Sequence, residues 1–456
     1  MEFPIFQVPY LGNGMTIALD AVLHVIISHG LAIGAVSMVV VSEYLGQRRA
    51  SRDWEGFAKD FLRVIVFLTT SVGAMTGVGI WLITSALAPR GIGSLLRVFF
   101  WPWFIEWGVF AAEVVLVLIY YYTWQRWTGE RKKHHLRLGL GYVAAAICSA
   151  LLITGILGFM LTPDGWPWDK SLWSAFFNAS YLPQLVLRLG IAYSLGALFS
   201  VGYLVFTRRE RDFRKEAFAV FAKIALVSLT VTLLSAVWYF TVVPSTFKTH
   251  SLYAVMTSRF SQQPELFWEI TIGGAVFLLL FWLVALRRSV ISVRLLVIPA
   301  IVVSILFVAQ FERVREFIRG PYLMPGYMYA NQVLLEETPL FAKQGMLPSS
   351  YWYKATATKQ GDSVSQGAYL FAQNCSACHT IGGINDIVDR VQGRTADGLY
   401  VIIGHTQEMV PFMPPFSGTD QERRTMADFL FRLADGAIKL GAPSRFAPLN
   451  GGPEHE

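Results

Sequence analysis

Eight apolar segments, each long enough to cross a bilayer, constrain this chain more than any other feature of its sequence. The hydrocarbon core of a bilayer is about 30 Å thick, and a helix needs roughly 20 apolar residues to cross it. Backbone polar groups in lipid must be paired within the same segment, so each segment is predicted to be a helix. The predicted fold is therefore an all-α polytopic bundle of about eight transmembrane helices, at residues 15–45, 58–88, 99–125, 138–162, 178–207, 216–243, 267–286 and 291–310.

The charge distribution predicts the orientation of the bundle. Basic residues cluster in loops 47–52, 126–137, 208–215 and 287–294, whereas the alternate loops are nearly neutral or mildly acidic. Short loops rich in Lys and Arg stay in the cytoplasm, so both chain ends are expected on the periplasmic side of a bacterial inner membrane. These topology signals account for the net charge of +7. Nucleic acid is therefore excluded as a partner, and the lipid bilayer is expected instead.

Changes in composition divide the chain into four parts. Residues 1–310 form the predicted bundle, and residues 311–361 form a connector with four prolines among several tyrosines. Residues 362–436 have the character of a soluble domain, and residues 437–456 are predicted to be a polar tail with frayed ends.

The soluble segment contains a Cys-x-x-Cys-His motif, which runs from Cys375 to His379. In c-type cytochromes the two thiols bond to the haem vinyl groups, and the adjacent histidine coordinates the iron. Similar spacings also occur in redox and zinc sites, so the surrounding sequence decides the interpretation. A short helical run precedes the motif, and a Met-Pro-Pro-Phe sequence at 413–416 and an amphipathic helix at 420–433 follow it.

This order of features resembles the class I monohaem cytochrome c family over residues 362–436. The resemblance implies a small all-α domain that carries one covalent haem c. The thiols of Cys375 and Cys378 would hold this haem, and His379 would be its proximal iron ligand. The third cysteine, Cys148, lies alone in an apolar helix and is expected in the core.

The sixth ligand of haem c is expected in the Pro-rich loop. Met413 is preferred because a thioether ligand favours reduced iron, as an electron carrier requires. Met409 and His405 are the alternative ligands. A side chain that only fills a gap in the core is the other interpretation of Met413.

Few ionisable residues lie inside the apolar segments, and each is a functional candidate because burial in lipid is costly. The first segment carries His24 and His29, and the third carries Glu106 and Glu113. With a rise of about 1.5 Å per residue, His24 and Glu106 lie at similar depths near the outer face. His29 and Glu113 lie deeper.

Imidazole is the usual axial ligand of haem b, so His24 is predicted to hold a bundle haem, with Glu106 as a weak ligand or proton donor. The alternative is a His–Glu hydrogen bond that only locks two helices. That structural role is expected for His29, which points about 140° away from His24 around the helix. Glu113 is predicted to transfer protons. His135 is assigned to a cytoplasmic basic loop.

Three stretches are similar to subunit I of the cytochrome bd quinol oxidases, over about residues 15–205. They are Ala18 to His24, Thr76 to Gly79, and Trp101 to Glu106. In that family the histidine of helix one and the glutamate of helix three belong to the haem d site, which implies this role for His24 and Glu106. The next glutamate of the family lies in a proton route, which implies that role for Glu113.

The departures from that family limit the number of haems. Its low-spin haem b uses a histidine on helix five and a methionine on helix seven, but segments 178–207 and 267–286 contain neither. Its later glutamate ligand has no counterpart either, because segment 291–310 lacks Glu. One bundle haem, of b type, is therefore expected besides haem c, and a quinone is a further candidate cofactor.

These features predict a haem-containing electron-transfer subunit of a respiratory complex. It would move electrons between a membrane haem b, or the quinone pool, and a periplasmic haem c. Two alternatives stay open: a cytochrome bd-like terminal oxidase fed through its fused cytochrome c, and a haem-free membrane anchor for that cytochrome. The expected partners are other membrane subunits and a periplasmic electron-carrier protein.

Overall fold

The computed structural model describes residues 6–250, 264–350, 353 and 362–438. The predicted tail beyond residue 438 and much of the end of the predicted connector lie outside this part of the chain. Contact clustering separates two compact units. A membrane unit comprises Ala21–Val78 and Phe99–Arg315, and the described residues of Met1–Asp20, Gly79–Val98 and Glu316–Glu456 form the second unit.

Eight helices in the described part of the chain are long and apolar enough to cross a membrane, which confirms the predicted polytopic fold. We number these spanning helices 1 to 8 in chain order. They are Asn13–Arg49, Arg52–Leu87, Phe100–Thr123, Arg131–Phe159, Leu172–Phe206, Arg211–Val242, Trp268–Leu286 and Val290–Glu316. Shorter helices lie between them, at Pro89–Val98, Trp166–Asp169 and Ser245–Lys248.

Spanning helices 1 and 2 each contain a π-helical segment, at Ile26–Ala35 and Thr69–Gly73. Segments of this kind are rare and occur frequently at functional sites. In helix 1 the wider turn coincides with a close approach to helix 5. A Cβ atom on Gly34 would lie 1.9 Å from the carbonyl oxygen of Ala192, so the two backbones are in direct contact.

Helices 1 and 5 form the centre of the membrane unit. In their apolar stretches 67% and 61% of residues are buried, compared with 17% in helices 3 and 8. Aromatic side chains of Trp54, Phe57 and Phe221 pack beside them in the core. The outer faces of helices 3 and 8 are apolar and exposed, as expected for surfaces that meet lipid. Cys148 lies on the exposed side of helix 4, so its expected place in the core was wrong.

The second unit contains a small α-helical domain, which confirms the predicted cytochrome c-like architecture. Its helices are Ser363–Asn374, Ile387–Val391, Ala396–Gly404, Thr406–Met409 and Asp420–Ala434. The first and last of them cross at Gly367, where an added Cβ atom would lie 2.2 Å from the Cβ of Phe429. Leu370, Phe371 and Leu430 fill the core around this crossing.

The preceding region adds short elements to this domain. A two-stranded antiparallel ribbon, Tyr322–Met324 and Met328–Tyr329, is followed by turns of helix at Leu335–Glu337, Thr338–Gln344 and Met346–Ser349. The carboxylate of Glu422 accepts hydrogen bonds from the amides of Met346 and Leu347, at 2.9 and 2.8 Å. These bonds attach the region to the last helix of the domain.

Candidate functional site

The Cys-x-x-Cys-His motif directly follows the first helix of the small domain. Asp362 caps that helix, and the Cys375 amide still donates to the carbonyl of Phe371 at 2.8 Å. The amides of Cys378 and His379 then both donate to the carbonyl of Cys375, at 3.1 and 2.9 Å. Both thiols and the imidazole are therefore held within one tight turn.

The orientation of the His379 ring is fixed by Asn385. Nδ1 of His379 lies 3.3 Å from the Asn385 carbonyl oxygen, which can only accept, so we assign the proton to Nδ1. Nε2 is left with a lone pair, the arrangement of a haem-ligating histidine. Burial lowers the pKa of His379, which favours the neutral form that binds iron.

Sequence reasoning missed Asn385. Its φ of 55° lies in the left-handed region, and its side-chain amide donates to the carbonyl of Cys378 at 2.7 Å. Asparagine tolerates this backbone conformation better than most residues. The sequence signal that could have indicated Asn385 is the glycine pair Gly382 and Gly383, which predicts a turn just before it.

The N-terminal segment packs against the motif, which sequence reasoning also missed. The Gln7 side chain donates to Ser376 Oγ at 2.9 Å, and the amide of Ile384 donates to the carbonyl of Tyr10 at 2.6 Å. The contact is tight because an added Cβ atom on Gly383 would lie 2.1 Å from the Tyr10 oxygen. Residues 6–14 therefore belong to the surroundings of the motif.

The three candidate sixth ligands differ in their surroundings. Met409 is 57% exposed, and His405 is exposed with its Nδ1 3.0 Å from a carboxylate oxygen of Glu408. Met413 is half-buried, and its amide donates to the carbonyl of Val410 at 2.9 Å. Met413 stays the predicted ligand.

In the membrane unit, the ring of His24 is held by spanning helix 2. Its Nδ1 lies 3.1 Å from Thr76 Oγ1, which itself lies 2.9 and 3.0 Å from the carbonyl oxygens of Val72 and Gly73. The Thr76 hydroxyl has one proton and donates it to these carbonyls, so it accepts from Nδ1–H of His24. Nε2 of His24 is therefore assigned the lone pair, as in His379.

The His24 ring also faces a surface without side chains. A Cβ atom on Gly77 would lie 3.2 Å from Cε1 of His24, so only glycine allows this approach without displacement. Gly73, one turn earlier, lies against Ile27. The two π-helical segments begin or end within three residues of His24 and Thr76. An imidazole with an oriented proton beside a face of small residues is the kind of arrangement that accommodates a flat macrocycle.

Glu106 of helix 3 is hydrogen-bonded to helix 4. Ser149 donates to Glu106 at 3.0 Å, and no hydrogen bond among the described residues joins Glu106 to His24. Glu113 is buried, and its Oε1 has no hydrogen-bond partner in the described part of the chain. Glu106 therefore interacts with a side chain of helix 4.

His29 is part of a buried polar network. Its Nδ1 lies 3.0 Å from Ser28 Oγ, and Arg188 donates to its Nε2 at 3.4 Å. Arg188 also donates to Glu312 at 3.0 Å, and Glu312 accepts from Arg315 at 2.9 Å. Both ring nitrogens of His29 are engaged, as expected of a residue that links helices.

Glu312 and Arg315 of that network lie beyond residue 310, where the last span was expected to end. Segment 291–310 lacks Glu, as stated, but the helix continues beyond residue 310 to Ile318 and carries Glu312 there. The apolar pattern stops before the helix does. Arg188 was visible as an ionisable residue inside a spanning segment, which is itself a functional signal.

His135 was assigned to a loop, which was wrong. It lies in spanning helix 4 and is buried, with Nδ1 2.7 Å from Glu43 Oε1 and Nε2 2.9 Å from the carbonyl oxygen of Tyr120. The hydroxyl of Tyr120 donates to the other oxygen of Glu43 at 2.6 Å. A run of basic residues resembled a loop, but the helix begins within it.

Comparison with known proteins identifies both parts of the chain. The family model of cytochrome bd terminal oxidase subunit I matches residues 14–250, more than half of the 456 residues. The model of cbb3-type cytochrome c oxidase subunit III matches residues 362–430. No curated protein matches the sequence.

A solved structure of bd oxidase from Geobacillus thermodenitrificans is similar, with a TM-score of 0.60 and 18% sequence identity. The match covers 70% of this chain and 88% of that one. At this identity the likeness establishes the fold.

Proposed function

This chain belongs to the cytochrome bd terminal oxidase subunit I family and carries a cytochrome c domain, and from that premise we propose that it transfers electrons between two haems. One haem would be covalently bound in the cytochrome c domain, and the other would be held in the bundle by His24. The domain then serves as the electron port of the membrane unit. Haem iron supplies the one-electron redox chemistry when it is bound at these sites.

The observation that carries the proposal is the shared arrangement of two histidines. In His379 and in His24, an acceptor oxygen fixes the proton on Nδ1 and leaves the lone pair on Nε2. Such second-shell bonds orient a histidine toward a metal and raise its basicity as a ligand. The acceptors are Asn385 in the domain and Thr76 in the bundle.

The remaining site residues have distinct proposed roles. Cys375 and Cys378 would form the thioether bonds of haem c, and Met413 would be its sixth ligand. Glu106 would be a weak ligand of the bundle haem iron, or would supply protons together with Glu113. Helix 5 contains no histidine, which supports one bundle haem, of b type, instead of two.

A terminal oxidase is the second candidate function, and the family match favours it. In that case the bundle site would reduce oxygen with electrons from the cytochrome c domain, and Glu106 and Glu113 would deliver protons. Additional membrane subunits could cover the exposed apolar faces of helices 3 and 8. We propose that the cytochrome c domain lies on the periplasmic side and that a quinone is a further cofactor. Much of the loop between helices 6 and 7 lies outside the described residues.

The test is haem content in the intact, purified chain. A pyridine haemochrome spectrum is expected to give one c-type and one b-type haem per polypeptide, and His24→Ala is expected to lose only the b-type haem. His29→Gln is the matched control and should keep both. A wild-type spectrum with haem c alone would overturn the proposal. It would support a bundle that holds no haem and only anchors the cytochrome c domain.

Oxygen uptake separates the two candidates. With a chemically reduced electron donor, the electron-transfer subunit is expected to consume no oxygen above the rate of its His24→Ala variant, which would lack the bundle haem. Uptake by the wild-type chain that His24→Ala abolishes would establish the oxidase function instead.

A further inference from the structure

The chain leaves its last spanning helix beside the haem c motif. Helix 8 continues to Ile318, and the compact unit that contains the cytochrome c domain begins at Glu316, within that helix. Residues 316–320 therefore belong with the cytochrome c domain, although they continue the last helix of the bundle. We call these five residues the exit segment.

The first residue of the exit segment lies near Cys378. Burial raises the pKa of the Cys378 thiol to about 11, and the negative charge of Glu316 adds to the rise. A charge has this effect on a neighbouring group only at short range. Cys378 would bond to a vinyl group at the edge of haem c. The Glu316 carboxylate is therefore expected near that edge of the haem.

The last residue of the exit segment touches the loop that would supply the sixth ligand. A Cβ atom on Gly320 would lie 2.6 Å from Cβ of Phe412 and 2.9 Å from the Phe412 carbonyl oxygen. Phe412 directly precedes Met413 in the chain. The exit segment thus contacts the Met413 loop at one end and lies near the covalent attachment site at the other.

Between these contacts lies a buried positive charge. The side chain of Arg319 is 3% exposed and forms an ion pair with Glu316, whose side chain is 53% exposed. The Tyr322 amide donates to the carbonyl of Arg319 at 3.1 Å, and the Ala330 amide donates to the carbonyl of Pro321 at 2.8 Å. These bonds fix the backbone that follows the helix, so the guanidinium is held in one place.

The two charges of this pair act with unequal strength on their surroundings. Water screens the half-exposed carboxylate of Glu316 more than it screens the enclosed guanidinium of Arg319. A guanidinium also keeps its charge at every pH that the folded protein meets. The net electrostatic effect of the pair on nearby groups is therefore that of a positive charge.

We propose that Arg319 raises the reduction potential of haem c and that Glu316 moderates this effect. Reduction transfers one electron from the donor to the ferric iron and makes it ferrous, so the charge of the haem falls by one unit. A permanent positive charge nearby favours the form with the lower charge. The segment that leaves helix 8 thereby tunes the electron port of the membrane unit.

This inference rests on the part of the proposed function that concerns haem c, and it needs no haem in the bundle. A pair with a purely structural role would attach the exit segment to the domain without favouring either oxidation state of the iron. Variants that remove one charge at a time separate these roles, because loss of the positive charge and loss of the negative charge must shift the potential in opposite directions.

The experiment is a redox titration of haem c in the purified full-length protein, followed by its c-type absorbance. Arg319→Gln is expected to lower the midpoint potential by about 59 mV, a tenfold change in the ratio of reduced to oxidised haem for one electron. Glu316→Gln is expected to raise the potential. Arg319→Lys keeps the charge and should stay close to the wild-type value.

Arg424→Gln is the matched control, because it removes the same charge from an exposed pair of the same domain. Arg424 lies 2.6 Å from Asp397, and the two side chains are 41% and 86% exposed. Water screens both charges, so the potential of haem c should stay near that of the wild type. All variants are compared at an unchanged c-type spectrum, which shows that the iron ligands are retained.

Wild-type potentials in Arg319→Gln and Glu316→Gln, or shifts of the same sign in both, would overturn the proposal. Glu316 is half-exposed, so its variant tests the proposal even if Arg319→Gln does not fold. A chain with both haems and unshifted potentials keeps the proposed function and loses the role of Arg319. A chain with haem c alone and opposite shifts loses the proposed function and keeps the role of Arg319.

Discussion

Single hydrogen bonds decide what the two candidate iron ligands can do. His24 and His379 each place the proton on Nδ1. The acceptor is the hydroxyl of Thr76 on spanning helix 2 for His24, and the carbonyl of Asn385 in the turn after the motif for His379. His29, five residues after His24, has the same ring but two partners, Ser28 and Arg188. Local bonding, and not residue type, therefore separates a candidate ligand from a structural histidine.

Thr76→Val is expected to weaken haem binding in the bundle. It removes the acceptor that fixes Nδ1–H of His24 and keeps the shape of the side chain. Loss of such a second-shell partner typically costs about 10–100-fold in metal affinity. Titration of haem into the protein, followed by its b-type absorbance, measures the change.

Thr84→Val is the matched control because, among the described residues, the Thr84 hydroxyl bonds to backbone carbonyls of its own helix alone, those of Ile80 and Trp81. Equal haem affinity in Thr76→Val and Thr84→Val would contradict the assigned role of Thr76.

Arg188→Leu is expected to destabilise the membrane unit strongly. It leaves the buried carboxylate of Glu312 without its partner on helix 5, and breaking a buried pair in this way costs about 3–5 kcal/mol. The double variant Arg188→Leu/Glu312→Leu should recover part of that loss, because the buried carboxylate is removed together with its partner on helix 5. Denaturation of the detergent-solubilised protein measures both values, and a double variant no more stable than the single one would contradict this reason.

At the level of elements, short contacts between segments distant in sequence build the surroundings of the haem c motif. Residues 6–14, the turn at 380–386 and the motif itself come together through Gln7, Tyr10 and Ser376. No periodic pattern in the sequence predicts such contacts. A motif search finds the cysteines and the histidine but not the segment that covers them.

Gly383→Ala is expected to release the N-terminal segment from the motif. The new methyl group would lie 2.1 Å from the carbonyl oxygen of Tyr10. The atoms nearest to it are all backbone atoms of Tyr10, so the N-terminal segment must move. Amide hydrogen exchange of residues 6–14 should therefore become faster. Gly93→Ala is the control, because a Cβ atom there meets nothing within 4 Å, and faster exchange in both variants would contradict the specific contact.

At the scale of the whole molecule, the sequence predicts what lipid and covalent chemistry dictate. The eight spans follow from the length a bilayer requires, and the cytochrome c domain follows from the motif and the order of its neighbours. Helix ends are less predictable, because spanning helix 8 continues past its apolar residues and helix 4 begins among basic ones. Glu312 and His135 were misplaced for that reason.

The partners of the buried polar residues could not be predicted either. Glu43 and His135 are 92 residues apart, and His24 and Thr76 are 52 apart. Such pairs depend on how helices pack, and the periodicity of the sequence does not encode that packing. The hydrogen bond from Ser149 to Glu106 likewise depends on how helices 3 and 4 pack.

Electron transfer within one chain is the central claim, and rapid photoreduction of haem c tests it most directly. After a light pulse reduces haem c in the purified wild-type protein, its reoxidation and the reduction of the bundle haem should share one first-order rate. That rate should not depend on protein concentration, and the second signal should be absent from His24→Ala. A bundle haem that is reduced at a rate proportional to protein concentration, or one that never receives the electron, would contradict the claim.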